Sequence, residues 1–293
     1  MAERRIARLW YRGWPMAALC VSASTVWLIT DAWPQAGSTL GSGMAGCLIA
    51  AVVCIGVAWR RGWGGVSELA GPALGGALVL GGPAVGMLLG AAFLDAGSLA
   101  IALALTPVVV VVVESVGGAE ELTGEGLWPG LAACCGLLLM LPAPSLTDWR
   151  NDVALLLAPV LTGTGCVLFR RSGLGAAEAW KASAGLAGGG AVFGLGVLAE
   201  SLSRRGWPVI SPAATGVDAV LSLLAVVALG RLTAAQYSAR YVLVPLAVLL
   251  QGVVLLHSVP TWRSVACGIL LAVAGVVLLR PGEERRDSGD GIR

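Results

Sequence analysis

The segment SLAIALALTPVVVVVVES, residues 98–115, is an apolar run with a proline near its middle. A second segment, QYSARYVLVPLAVLLQGV, residues 236–253, has the same length and aligns Pro245 with Pro107. After a short connector, each is followed by a glycine-bearing run, WPGLAACCGLLLMLPAP at 128–144 and ACGILLAVAGVVLLRPG at 266–282. A pattern repeated at this scale indicates an internal duplication. We therefore predict two halves, residues 14–143 and 144–281.

The composition predicts an integral membrane protein. Of the 293 residues, 57% are hydrophobic and 12% are charged, whereas a soluble domain carries about 25% charged residues. A helix needs about 20 apolar residues to cross the hydrocarbon core. Runs of about that length follow one another, and we predict an all-α fold with ten transmembrane helices near 14–32, 40–59, 69–94, 98–116, 125–142, 152–169, 176–199, 212–230, 234–256 and 262–280.

The arginines predict the orientation of these spans. Ten spans place both termini on one side, and that side receives thirteen of the nineteen basic residues. Two basic residues lie within spans, and the other side has Arg150, Arg204, Arg205 and Arg263. Since basic residues concentrate in cytoplasmic loops, we expect a multi-pass inner-membrane protein with a cytoplasmic N-terminal segment at 1–13. The polar residues 282–293 are expected to form a disordered cytoplasmic tail.

The number of spans in each half has a consequence for function. Because five is odd, the second half enters the membrane from the opposite side, and the repeats are inverted. Inverted repeats are the architecture of many secondary transporters, in which the substrate site lies near the bilayer midplane between the halves. A fold alone does not assign a function, so the site must supply further support.

Two longer stretches carry a family resemblance. They are TPVVVVVVESVGGAEELTGEGLWPGLAACCGLLLML, residues 106–141, and VPLAVLLQGVVLLHSVPTWRSVACGILLAVAGVVLL, residues 244–279. Each resembles the proline helix, short connector and glycine-containing last helix of the EamA-like family of the drug/metabolite transporter superfamily. The connector EELT, residues 120–123, is similar to an acidic turn frequent in that family, and the second half departs from it with HSVP at 257–260. The resemblance implies a carrier that moves small metabolites, often outward, by alternating access.

Arg240 is the residue of the ninth span that most needs an explanation. Gln236, Tyr237 and Gln251 lie within about 60° of it around a helix and form a polar face. Pro245 leaves the carbonyl oxygen of the residue four positions earlier without a helical donor. We predict that this face lines a substrate cavity in which Arg240 binds a carboxylate or phosphate. The alternative is that Arg240 extends back to the cytoplasmic interface.

Three further residues are candidates for the same cavity. Glu114 lies at a depth that would let it pair with Arg240, unless it serves only as a helix-end residue in the headgroup region. Asp218 lies too far outward for a direct pair with Arg240, and is either an interfacial acid or a proton-coupling group. Trp27 offers a ring to a substrate or anchors the first span at the interface. Pro107 and Pro245 are predicted helix breaks or gates.

The sequence also excludes several classes of function. No arrangement of residues indicates an intramembrane enzyme, a metal site or a cofactor site, and the scattered arginines do not indicate nucleic-acid binding. The expected partners are a small-molecule substrate and membrane lipids, with a homodimer left open. The alternatives to a metabolite carrier are a flippase for a lipid or lipid-linked substrate, and a membrane protein that binds a ligand or signals without transport.

Overall fold

The regular structure of the protein is entirely helical in the residues that the structure describes. A computed structural model describes residues 2–32, 38–61, 65–89, 96–117, 124–142, 144, 149–173, 178–204 and 206–280. The α-helices are α1 (Ala2–Ala32), α2 (Thr39–Arg61), α3 (Ala70–Leu89), α4 (Ala96–Leu103), α5 (Thr106–Val116), α6 (Gly124–Met140), α7 (Trp149–Arg171), α8 (Ala179–Arg204), α9 (Pro212–Arg231), α10 (Ala234–Ser238), α11 (Arg240–Leu255) and α12 (Trp262–Leu279). One 3₁₀ turn, Val66–Glu68, precedes α3.

The helices have the length and composition of membrane spans. Eight candidate spans are long and apolar enough to cross a bilayer within the described residues, and α4 with α5 forms one of them, as does α10 with α11. Two shorter apolar segments, Gly13–Leu28 in α1 and Gly126–Met140 in α6, complete the set. This confirms the prediction of an all-α, multi-pass membrane protein. The predicted tail at 282–293 and the connector at 120–123 lie outside the described residues.

The span that contains Pro107 is interrupted just before the proline. Pro107 has no N–H group to continue the helix from α4, but it is tolerated in the first turn of a new helix, where the N–H would be unpaired anyway. The backbone hydrogen bonds change from the helical spacing of four residues to three at this point. The N–H of Leu105 donates to the carbonyl of Ala102 at 3.0 Å. The helix then restarts as α5, with Pro107 in its first turn.

The span that contains Pro245 is interrupted elsewhere. Pro245 lies inside α11, and the break is at Ala239, whose N–H donates to the carbonyl of Gln236 at 3.3 Å. A proline inside a membrane helix is tolerated where neighbouring groups compensate for the freed carbonyl. The short α10 begins at a capping box, in which Thr233 and Gln236 exchange side-chain and backbone hydrogen bonds of 3.1 and 3.2 Å. The predicted break at Pro245 is therefore displaced by six residues.

Glycines bring α3 and α7 into very close contact. A Cβ atom added at Gly165 of α7 would lie 2.5 Å from the backbone nitrogen of Val79, and one at Gly75 would lie 2.7 Å from the backbone of Phe169. Small residues at helix interfaces in membranes allow this approach. Further extensive contacts join α3 and α2 to α8, and α2 to α9, while α6 packs against α12 and α1 packs against α9 and α11.

One end of the bundle collects the arginines at the ends of α7 and α9. Arg170 of α7 donates to the carbonyl of Gly230 in α9 at 3.4 Å, and Arg231 stacks on the ring of Trp14 in α1. The buried Lys181 of α8 lies at the same end, with its ammonium 2.9 Å from Glu178 and 3.1 Å from Glu68 before α3. Glu178 lies three residues before Lys181 in the chain, whereas Glu68 brings a distant segment into the same contact. We call this the arginine-rich end.

Candidate functional site

A cavity of about 410 Å³ lies among the helices of the bundle. Ligand pockets commonly measure about 300–1,000 Å³, so the space suits a small molecule. Five helices contribute to its wall: α1, α3, α4, α9 and α11. The lining residues are mostly apolar, and they are Leu19, Ala23, Trp27, Leu80, Pro83, Met87, Ala100, Leu103, Leu221, Ser222, Ala225, Arg240, Tyr241, Val244 and Pro245.

Arg240 is the charged residue of this wall, and two tyrosines hold its guanidinium. Nη1 donates to the hydroxyl oxygen of Tyr237, and Nη2 donates to the hydroxyl oxygen of Tyr241. The guanidinium carbon also lies 4.4 Å from the centroid of each ring. Contact of a cation with an aromatic ring is attractive, and the attraction increases when water is excluded. The interrupted span makes this arrangement possible, because Tyr237 belongs to α10 and Arg240 begins α11.

Arg240 retains hydrogen-bonding capacity toward the cavity. A guanidinium has five N–H donors, and the two tyrosine hydroxyls use two of them. Lys181 forms ion pairs with Glu68 and Glu178, and Arg240 takes part in neither. The side chain is half-buried and lines the cavity. The structure thus places a guanidinium with spare donors against an apolar space.

The other residues of the predicted polar face lie in different places. Tyr237 is fully buried beneath the guanidinium and is outside the lining. Gln236 uses its side-chain oxygen in the capping box with Thr233. Gln251 is outside the lining and donates from Nε2 to the hydroxyl of Thr25 in α1 at 3.2 Å, which joins α11 to α1. Trp27, Arg240 and Pro245 are the predicted site residues that the cavity brings together.

The two predicted acids are separated from the lining. Glu114 of α5 is outside the lining, and both Glu114 and Arg240 lie near enough to the thiol of Cys166 in α7 to act on it electrostatically. Asp218 of α9 lies within hydrogen-bonding reach of the Ser42 hydroxyl on α2. Pro107 is buried at the start of α5, outside the lining. Arg240 has two tyrosine partners within its own span, and its pairing with Glu114 stays a prediction.

Sequence reasoning missed most of the cavity wall. Tyr241 follows Arg240 directly, and the order Tyr237, Arg240, Tyr241 is the local signal that could have identified the tyrosine pair. The Tyr241 hydroxyl also lies within hydrogen-bonding reach of Thr162 on α7. The apolar residues from α3 and α9, such as Met87 and Leu221, had no such signal. Their position depends on how the helices pack, which a single sequence does not encode in a readable pattern.

The side chains of this cavity wall are suited to binding a ligand. Among the described residues, no group of three His, Cys, Asp or Glu side chains is placed to hold a metal ion. The cavity wall offers one cation, two hydroxyl groups from Ser222 and Tyr241, and otherwise apolar side chains. Such a wall can enclose an amphipathic molecule and orient it by one charged end.

Comparison with known proteins identifies a fold. No family model and no curated protein matches this chain. One solved structure, described only as "Crystal structure of protein", is similar to it with a TM-score of 0.67 and 15% sequence identity. The similarity covers 92% of this chain and 98% of that chain. The likeness therefore concerns the fold over nearly the whole length of both chains.

Proposed function

We propose that this protein is a secondary carrier that moves a small amphipathic metabolite across the inner membrane by alternating access. The observation that carries the proposal is the composition of the cavity wall: α1, α3 and α4 come from the first half, and α9 and α11 come from the second. Carriers built from two repeats bind their substrate at such a junction. The charge of Arg240 in this wall gives the substrate an anchoring point.

The proposal includes a scaffold of ten spans. The apolar segments Gly13–Leu28 and Gly126–Met140 are short for a bilayer of about 30 Å, since a helix rises about 1.5 Å per residue. Each belongs to a longer helix, α1 or α6, and each packs along full-length spans. With them, each half has five crossings, and the halves are inverted relative to each other.

The pattern of helix contacts supports two equivalent halves. We pair α1 with α7, α2 with α8, α3 with α9, the α4–α5 span with the α10–α11 span, and α6 with α12. If each helix is replaced by its partner in the other half, every contact should turn into another observed contact. The α3–α7 contact then becomes α9–α1, and α3–α8 becomes α9–α2. In the same way α1–α11 becomes α7–α5, and α5–α6 becomes α11–α12. The α2–α8 and α6–α12 contacts are unchanged by this exchange. The most extensive helix contacts all belong to this set.

Equivalent contacts in the two halves differ in tightness, which is what alternating access requires. Between α3 and α7, Gly75 and Gly165 bring the backbones together. The equivalent helices α9 and α1 pack less extensively, and Leu221 of α9 and Leu19 of α1 both line the cavity. Two equivalent interfaces in unlike states suit a carrier in which each interface opens in turn. The opposite state would have α3 and α7 separated and α1 and α9 closed.

The family proposal rests on the same features. The motif pairs at 106–141 and 244–279 resemble EamA-like carriers, and the scaffold proposed from the contacts has the helix number expected of that family. We propose membership of this family and outward movement of the substrate on that basis. The cavity volume of about 410 Å³ favours a small metabolite over a two-chain lipid, whose tails would extend outside it.

Transport in proteoliposomes tests the proposal. The purified protein is reconstituted, and uptake and release of a panel of radiolabelled monocarboxylates, amino acids and amines are measured with Arg240→Ala, Arg240→Lys and wild type. We expect Arg240→Ala to lower the initial rate at least about 10-fold, and Arg240→Lys to be intermediate because lysine keeps the charge but lacks the planar fork. Arg263→Ala, in which the changed residue lies outside the cavity lining, is the matched control.

Two outcomes would contradict parts of the proposal. Unchanged transport of every compound by Arg240→Ala would remove Arg240 from the site. A wild-type protein that binds one of the compounds but moves none of the panel in either direction would contradict the carrier proposal and favour a ligand-binding role.

A further inference from the structure

We infer that the cavity selects an organic monoanion with an apolar body and discriminates against zwitterionic amino acids and cations. The binding preference follows from the cavity itself, and its meaning for transport rests on the proposed function. The inference has three parts: the charge required at Arg240, the rejection of an ammonium group beside that charge, and the apolar character of the remaining wall.

The charge of the wall requires one anionic group. A guanidinium stays protonated in proteins, and the hydroxyls that hold Arg240 belong to neutral tyrosines. Among the described lining residues there is no aspartate or glutamate. An uncompensated charge in a membrane interior is costly, so a bound anion that supplies the counter-charge gains affinity. A second negative charge on the substrate would lack such a partner.

An ammonium group next to the bound carboxylate would find no anionic partner. The uncharged side-chain groups of the lining that could accept its hydrogen bonds are the hydroxyls of Tyr241 and Ser222. Asp218 lies one helical turn, about 6 Å, from Ser222, and its carboxylate is near Ser42 of α2 instead. Glu114 is on α5, a helix that contributes nothing to the lining. Burying an unpaired ammonium therefore opposes the binding of an α-amino acid.

The ring of Trp27 cannot take the place of that acid. The contact between Gln251 and Thr25 fixes the relative height of α11 and α1. Gln251 is eleven residues beyond Arg240, which is about 16 Å along a helix, and Trp27 follows Thr25 on α1. An ammonium attached to the carbon beside the carboxylate cannot span that separation. Trp27 is instead placed to cover the far end of the substrate.

The space between these ends is apolar. Leu19, Leu80, Pro83, Met87, Leu103 and Val244 supply the wall. Moving apolar surface from water to such a wall stabilises the complex by about 25 cal/mol per Å², whereas an uncharged polar group there would lose its hydrogen bonds to water. The substrate class that fits is a carboxylate, or an equivalent single negative charge, on an aromatic or aliphatic body.

Four probes of nearly equal shape test this inference. Binding of 3-phenylpropanoate, phenylalanine, 3-phenylpropanamide and phenethylamine to the purified protein in lipid nanodiscs is measured by calorimetry. We expect 3-phenylpropanoate to bind at least about 10-fold more tightly than each of the others. Arg240→Gln should bring the anion and the amide to within about 2-fold of each other. Arg240→Lys should retain a preference for the anion, and Arg263→Gln should behave like wild type.

The outcomes separate this inference from the carrier proposal. Phenylalanine or phenethylamine binding as tightly as 3-phenylpropanoate would overturn the inference, and so would a folded wild-type protein that binds none of the four at millimolar concentration. Binding of 3-phenylpropanoate without its transport in proteoliposomes would leave the inference standing and contradict the carrier. Transport of phenylalanine but not of 3-phenylpropanoate would overturn the inference and support the carrier proposal. If Arg240→Gln fails to fold, the four probes on wild type and Arg240→Lys decide the matter.

Discussion

Arg240 is held by phenol oxygens, and the choice of partner has physical consequences. A charged residue in the centre of a membrane helix costs about 2.5–3.5 kcal/mol on insertion scales. The two hydroxyls and two rings offset part of this cost without neutralising the charge. A carboxylate partner would have neutralised it and left nothing for a substrate to bind. The tyrosine pair therefore fixes the position of the guanidinium and preserves its charge.

The two tyrosines should differ when each loses its hydroxyl. Tyr237 is 0% exposed and outside the cavity lining, whereas Tyr241 lines the cavity. A hydrogen bond to a charged group is worth about 1.5–3 kcal/mol, so we expect Tyr237→Phe to lower the free energy of unfolding by about that amount. Tyr241→Phe should cost less stability, because Nη2 of Arg240, which donates to the Tyr241 hydroxyl, can turn toward the cavity. This substitution should weaken or strengthen the binding of 3-phenylpropanoate by a larger factor than Tyr237→Phe does. Thermal unfolding and calorimetry on both variants check this.

A result with the two effects exchanged would contradict the geometry described for the pair. In that case Tyr237 would be the residue that meets the substrate, and Tyr241 would be the buried support.

At the scale of helices, hydropathy predicted the spans and the proline rule predicted only part of their irregularity. Pro107 begins α5, as the missing N–H requires. Pro245 lies within α11, and the chain breaks at Ala239. Local residues set that break: the capping box of Thr233 and Gln236 stabilises a separate first turn. A Thr and a Gln three residues apart are visible in a sequence, but only packing decides whether the helix after them continues.

The contact between α3 and α7 depends on glycine at position 165. The Cβ of Gly165→Ala would lie 2.5 Å from the backbone nitrogen of Val79, and backbone atoms cannot move aside as a flexible side chain can. Overpacking of this kind costs about 1–3 kcal/mol, so we expect a lower unfolding temperature in detergent. Gly268→Ala in α12, where an added Cβ meets nothing within 4 Å, is the matched control.

Alanine favours a helix over glycine by about 1 kcal/mol, so the control should unfold at the same or a higher temperature. Equal unfolding temperatures for Gly165→Ala and the wild type would contradict the close approach of α3 and α7.

At the scale of the whole molecule, the sequence carries more information about the membrane spans than about the site. The all-helical membrane fold and its apolar runs could be predicted because hydrophobic length is a local property. The candidate site could be predicted only at Arg240, Trp27 and Pro245, which are unusual residue types within apolar runs. The aliphatic residues of the lining could not be predicted, because nothing in the sequence distinguishes Leu80 or Leu221 from the other leucines. Only the packing of the helices places them at the cavity. In the proposed repeat, Ala102 aligns with Arg240, so the two halves would share a scaffold and differ in charge at this position.

The proposed orientation has a direct test at this scale. The arginine-rich end is expected in the cytoplasm, together with both termini of the chain. Green fluorescent protein fused after Arg293 should fluoresce, because it folds in the cytoplasm and not after export through the unfolded route. Alkaline phosphatase fused at the same position should be inactive, because it needs the oxidising side of the membrane. The opposite pair of results would invert the proposed topology.

The lone guanidinium of the cavity also determines which step of a transport cycle the membrane voltage would drive. A carrier loaded with a monoanion has no net charge at Arg240, so its reorientation is insensitive to voltage. The empty carrier keeps the positive charge, and its return toward a negative cytoplasm is favoured. One negative charge leaves the cytoplasm in each cycle, and the membrane potential supplies about 2.3 kcal/mol per 100 mV for that movement. At 100 mV this free energy supports roughly a 50-fold ratio of the substrate concentration outside to that inside. Export of a monoanion would then need no coupled ion.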